Sequence, residues 1–250
     1  MHLKVAMKSN FNFFLKRFLS VTLIFFFLEQ SVYAIKVSPV VLEINKEKKI
    51  VTLSFTNDTG NDINIQTSAL TWSQVNGEDK YSPTNDLIVI PAIVSIPAGK
   101  EQKFRISKRV IDNNSVEQAY RIYLQDVSPD FVDPNNPTGV AFKFNQDLPA
   151  YYFSGKQVYN KKFFNASICK SANPKTMCVR IENTGDFRLS LRGVKAKSLE
   201  GKVQDDFDVG ISGTILAKSW KEFTFNTPEK PFKDIEVNST LGSIIISTKP

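Results

Sequence analysis

Histidine is almost missing from this chain: there is one, His2, within the first few residues. A segment expected to be removed carries it, so the remaining chain has no imidazole. That excludes a Ser-His or Cys-His nucleophile and any zinc site built with histidine. Carboxylate-only chemistry, such as a glycosidase with two acids, stays open in principle, but no paired acidic motif stands out. Cysteine is scarce too, with two residues. Long amphipathic helical patterns are absent. So is any second apolar run long enough to cross a membrane, which takes about twenty residues.

The expected leader is residues 1–34. Lys4, Lys8, Lys16 and Arg17 precede the apolar run FLSVTLIFFFL, and Val32 and Ala34 supply the small residues of a cleavage site. That order is a secretory signal, with cleavage predicted after Ala34. Taking four basic residues and Glu29 from 32 Lys+Arg and 25 Asp+Glu leaves 28 against 24, a net charge of +4. A mildly basic surface of mixed sign is not a nucleic-acid footprint, so no nucleic-acid partner is expected. In an exported chain, Cys169 and Cys178 read as a structural disulfide stapling two strands of a hairpin. Their eight-residue separation is not that of a redox motif.

What the sequence does have is short strand-like runs: KIVTLSFTN, DINIQTSALTW, DLIVIPAIVSI, KEQKFRISK, AYRIYLQDV and VAFKFNQDL. Rich in Val, Ile, Phe and Thr and separated by turn signals, they predict an all-β sandwich architecture. An internal echo doubles it: TLSFTNDTGNDINI (52–65) and CVRIENTGDFRLSL (178–191) each place an Asn and a Thr-Gly turn between two strands. Two tandem sandwiches are therefore expected, 35–155 and 156–250, with the boundary in YYFSGKQVYNKK (151–162).

In GVAFKFNQDL the period of two puts Val140, Phe142 and Phe144 on one face, with Leu148 extending the row. The polar run SPDFVDPNNPT before it reads as an exposed loop. Trp72 and Trp220 are expected to be core anchors. The basic cluster FRISKR (104–109) reads as a solvated edge.

Several of these segments together resemble the periplasmic chaperones of chaperone–usher pili, and their archaic branch in particular. TWSQVNGEDKYSPTNDLIVIPAIVSIPAGKEQKFRI, QAYRIYLQDV and VAFKFNQDLPAYYF carry the resemblance across the first half; VRIENTGDFRLSL carries it in the second. The resemblance implies two immunoglobulin-like sandwiches set as an L or boomerang, and an activity without catalysis, metal or cofactor. It implies that Val140, Phe142, Phe144 and Leu148 form a donor strand. That strand would complete pilus subunits by strand addition before their delivery to an outer-membrane usher. It also implies a periplasmic location without membrane embedding, and possible self-association of the free protein through the same strand. The conventional Arg and Lys that hold a subunit's C-terminal carboxylate are replaced here by Val41 and Pro149. Since a buried carboxylate needs a charged partner, Arg121 is the expected anchor and Arg105 the second candidate. The alternative is a structural pilin or adhesin, for which Ile35–Ile44 would be a partly alternating extension.

Overall fold

The computed structural model describes residues 35–129, 143–158, 160–198, 207–229 and 231–247. The expected leader, with His2, lies outside them. The first ten strands are β1 (Ile35–Ser38), β2 (Leu42–Ile44), β3 (Ile50–Asn57), β4 (Ile63–Val75), β5 (Glu78–Pro83), β6 (Leu87–Ile90), β7 (Ile93–Ile96), β8 (Lys100–Lys108), β9 (Gln118–Asp126) and β10 (Asn145–Tyr152). They build two facing sheets, one ordered β1-β3-β8-β6 and the other β2-β10-β9-β4-β5, with β7 also on β4. Four times the chain leaves the first sheet for the second, and two of these crossings are short, between β1 and β2 and between β6 and β7. Pro39 and Pro91 stand at the short crossings, where a residue without an N–H ends the ladder it came from.

Alternation explains the core. β3 reads exposed-buried along its length, turning Val51, Leu53 and Phe55 inward. Phe104 and Ile106 of β8 meet Tyr120, Ile122 and Leu124 of β9 from the opposite sheet. These side chains are essentially solvent-free and form one apolar layer between the sheets.

The second half repeats the plan with β11 (Phe164–Cys169), β12 (Thr176–Asn183), β13 (Leu189–Ser198), β14 (Phe207–Asp208), β15 (Gly213–Ile215), β16 (Ser219–Asn226), β17 (Phe232–Ser239) and β18 (Gly242–Ser247). One sheet is β11-β12-β16; the other is β14-β13-β17-β18, with β15 on β13. Its own core holds Phe164, Val179, Ile181, Val194, Ile235 and Val237. No strand is shared between the halves, so the protein is two immunoglobulin-like sandwiches. Cys169 and Cys178 face each other across β11 and β12 and are disulfide-bonded, as expected of a hairpin staple.

The echo in the sequence is an echo in structure. Asn57 closes β3 and Asn183 closes β12, and both are buried. The Asn57 amide donates to the carbonyls of Asn61 (2.8 Å) and Ile96 (2.9 Å), while its oxygen accepts from Thr59 N–H (3.1 Å). The Asn183 amide donates to Phe187 (2.8 Å), Leu216 (3.0 Å) and Ile215 (3.2 Å), and its oxygen accepts from Gly185 N–H (3.0 Å). In each case one side chain closes its own turn and ties it to the facing sheet.

Two expectations change. FRISKR is not an edge, because β8 lies between β3 and β6. Alternation turns Lys108 inward with Phe104 and Ile106, and its side chain is only 5% exposed. It is neutralised there by Asp112 (3.6 Å) and Asp86 (3.8 Å) and donates to the Tyr120 hydroxyl (3.3 Å). Burial beside those carboxylates raises the Tyr120 hydroxyl pKa, which keeps it neutral. The second change concerns tryptophan. Trp72 is buried, but on the outer face of its sheet, and Trp220 is half-buried against the other sandwich. Both belong to the junction between the halves, not to either core.

Candidate functional site

The strand expected from Val140 begins, within the described residues, at Asn145. Val140 and Phe142 lie outside them. Antiparallel pairing with β9 runs from Asn145 opposite Gln125 to Tyr152 opposite Gln118. On its other side β10 has only β2, which pairs in parallel with Ala150–Tyr152. From Asn145 to Pro149 no strand pairs with that side among the described residues.

The polarity of the open edge follows from one bond. Phe144 C=O accepts from Asp126 N–H on β9 (2.9 Å). Because hydrogen-bonding direction alternates along a strand, Gln146 and Leu148 also turn to β9. Asn145 and Asp147 then offer N–H and C=O to the open side, and Pro149 offers its C=O alone. Phe153 N–H bonding Ile44 C=O on β2 (3.2 Å) fits the same parity. A proline is tolerated in this strand because the donor it lacks would have faced the vacant edge.

Side chains follow the same alternation. Phe144 is half-buried and meets Phe55 edge to face, with centroids 5.4 Å apart, at the margin of the first core. Leu148 is a correction: it is 1% exposed and fully part of that core, so it is not offered to a partner in this structure. Inward period-two positions deeper in the strand are taken up by the protein's own sandwich.

Arg121 and Arg105 are not brought together. Arg105 is exposed on the outer face of the first sheet, between Thr52 and Ile90. Arg121 lies on the outer face of the second sheet, between Leu70 and Pro149. Its guanidinium lies 4.0 Å over the Trp72 ring and 3.6 Å from the Asp147 carboxylate, and its buried Nε finds no acceptor among the described residues. Val41 is 42% exposed and apolar, and with Pro149 it leaves the conventional charge pair unfilled.

Arg121 stands where the second sandwich stops covering this face. The adjoining row, Trp72, Ala119 and Tyr151, is closed by Leu216 from the other half. Around it, Gln74 accepts from Leu216 N–H (2.9 Å) and donates to Thr214 C=O (2.8 Å). Lys221 donates to Asp79 (2.6 Å). Burial works to raise the Asp79 carboxyl pKa, but hydrogen bonds from Lys221, Gln74 and Trp72 prevail and hold it below the usual value. The Asn76–Gly77 turn of the β4–β5 hairpin has both φ angles positive, 54° and 82°, as a two-residue hairpin requires. Gly77 lies flat on Trp220: a Cβ there would come within 2.7 Å of the indole.

A second tie was not legible in the sequence. Arg188, from the turn after Asn183, pairs with both Glu117 and Glu43 of the first sandwich and stacks on Tyr151 at 3.8 Å. Its backbone N–H donates to Glu117 (2.9 Å), and Glu117 N–H donates to Asp186 C=O (2.8 Å). Burial pushes the Glu117 carboxyl up to about 7, against the pull of Arg188. Between the halves lies a cleft of about 340 Å³, lined in part by Trp72, Gln74, Glu117, Tyr120 and Leu216.

Residues 34–152 match the family described as pili and flagellar-assembly chaperone, PapD N-terminal domain. The first sandwich belongs to that family. Solved structures extend the likeness to both halves. The CsuC–CsuE chaperone–tip adhesion subunit complex of the archaic Csu pili of Acinetobacter baumannii matches at 16% identity and TM-score 0.63, covering 85% of this chain and 98% of that one. The Salmonella enterica SafA pilin–SafB chaperone complex matches at 16% identity and TM-score 0.59, covering 87% and 98%. The Pseudomonas aeruginosa CupB2 chaperone matches at 15% identity and TM-score 0.57, covering 86% and 100%. At such identities the likeness is one of fold, the two-sandwich fold that these chaperone structures share. No curated protein sequence matches the chain. No helix among the described residues is long and apolar enough to cross a membrane.

Proposed function

We propose that this protein is a periplasmic chaperone of pilus subunits, of the archaic type, which lends the open edge of β10 to an incomplete subunit sandwich. The observation that carries the reading is the edge from Asn145 to Pro149, which has no second strand partner among the described residues, beside apolar positions on the core-facing side. Its backbone groups would supply affinity, and Val140, Phe142 and Phe144 would fill successive pockets of the client. Leu148 drops out of that row. Arg121 would take the client's C-terminal carboxylate at the cleft, in place of the missing conventional pair. Hand-over to an outer-membrane usher follows from the same reading, as does pairing of two free copies through their β10 edges. The two sandwiches are taken as domains meeting near residue 155, and residues 1–34 as the export signal. The pilin alternative is disfavoured because β1, its would-be free extension, is paired with β3.

The test is co-expression with small exported pilus subunits. Val140→Asp with Phe142→Asp should abolish co-purification and leave the unfolding temperature unchanged. Phe144→Asp should abolish it too, with some loss of stability from the Phe55 contact. Retention of clients by the folded Val140→Asp, Phe142→Asp variant would overturn the donor assignment.

A further inference from the structure

Arg121 is half-engaged. The 3.6 Å to Asp147 is beyond hydrogen-bond length, so charge alone holds that pair. The Nε is buried and has no acceptor, which is uncommon for a buried donor. The contact with the Trp72 ring holds the guanidinium over the indole, a planar surface that guanidinium groups stack on.

Rows of the outer face explain the geometry. Arg121 pairs across the ladder with Pro149, while Asp147, one row farther from the junction, pairs with Tyr123. Between Arg121 and the open edge stands only Pro149, short and uncharged. Asp147 is the acid paired with Arg121 among the described residues, and its side chain is 43% exposed. Asp79, the other acid against Trp72, is already held by Lys221, Gln74 and the indole itself.

We propose that Asp147 is a resident counter-ion. It holds Arg121 in place over Trp72 in the free protein, and competes with an incoming carboxylate for the same guanidinium. This rests on the reading of Arg121 as the carboxylate anchor. An arriving carboxylate then exchanges with one already present, so binding is weaker and more readily reversed than at a bare arginine. Asp147 is a positioning residue, and it sits in the strand that is itself offered to the client.

The probe is a synthetic peptide of alternating apolar residues with a free C-terminal carboxylate, against the same peptide as its C-terminal amide. Binding to the full chain is followed by titration calorimetry at low and high salt. The unaltered protein should prefer the acid, and Arg121→Ala should erase the preference. Asp147→Asn should widen the preference about fivefold, most at low salt, because a competing charge is removed without changing the side chain's shape. In an Arg121→Ala background Asp147→Asn should change nothing. Equal binding of acid and amide by the unaltered protein would sink the anchor reading itself. A preference that needs Arg121 but is unchanged or reduced by Asp147→Asn would overturn the counter-ion role alone.

Discussion

At Asn57 and at Asn183 the chain turns the same corner, yet the two corners do different things. Both asparagines end a strand and cross to the facing sheet, at Ile96 in one half and at Ile215 and Leu216 in the other. Both corners also use a left-handed residue before the next long strand, Gly99 (φ 69°) in the first and Lys218 (φ 56°) in the second. The first turn, Thr59–Asp62, faces solvent for most of its length. The second is pressed into the junction: Asp186 receives Glu117 N–H, Phe187 packs edge to face on Phe153, and Arg188 clasps two acids of the first sandwich. The corner that faces solvent in the first sandwich is, in the second, built into the junction between the halves.

The sharpest way to break the comparison is to remove each asparagine. Asn183→Ala strips a buried donor shared by three carbonyls and should cost about 4 kcal/mol; Asn57→Ala should cost about 3 kcal/mol. Chemical denaturation measures both. Equal losses would mean that the junction adds nothing to the second corner. Arg188→Ala should cost about 3 kcal/mol at pH 8, because it leaves Glu117 buried without its cation. The loss should shrink at pH 6, where Glu117 can take up a proton, and no change in the first corner accompanies it.

Glu117 also gives the junction a pH signature that the solvent-facing corner lacks. Its folded pKa of about 7 lies above the ordinary 4.5, so the folded state holds the proton more tightly. That contribution is fully present below pH 4.5 and is lost as pH rises through 7, about 3 kcal/mol in all. Glu117→Gln should flatten this part of the stability–pH curve, read as unfolding temperature from pH 5 to 8. The smallest effect is expected at the left-handed residues. Gly99→Ala should cost about 1 kcal/mol, since a side chain there is strained although space is open. Lys218→Gly should move stability by less than about 0.5 kcal/mol. Relief of strain there is offset by loss of the ion pair to Asp186 and the bond to Thr184 C=O.

Much of this was legible in residue patterns. Period-two alternation located β3, β4, β8 and β9, and the repeated Asn and Thr-Gly located both corners before either was seen. The hairpin staple followed from spacing and compartment. Alternation failed where tertiary context decides the face. Leu148 obeys the same period as Phe144, and only the depth of the sandwich separates a core residue from a marginal one. Lys108 looked like surface charge because its burial is set by the strands on either side of β8, although one partner, Asp112, is only four residues on. Arg188 gave no local signal at all: its meaning depends on Glu43 and Glu117, more than seventy residues away in sequence. Charge partners across a domain junction leave no periodic trace.

Pro149 bears on how an added strand would be read. Going along the vacant edge toward the junction, donors run out at Pro149, and from Ala150 onward the berth is occupied by β2. A visiting strand is therefore stopped at that end by covalent chemistry and by a resident neighbour. Toward Asn145, among the described residues, no second proline and no resident strand halts it. Slippage is forbidden in one direction only, so the spacing of the client's own side chains must set the stop in the other.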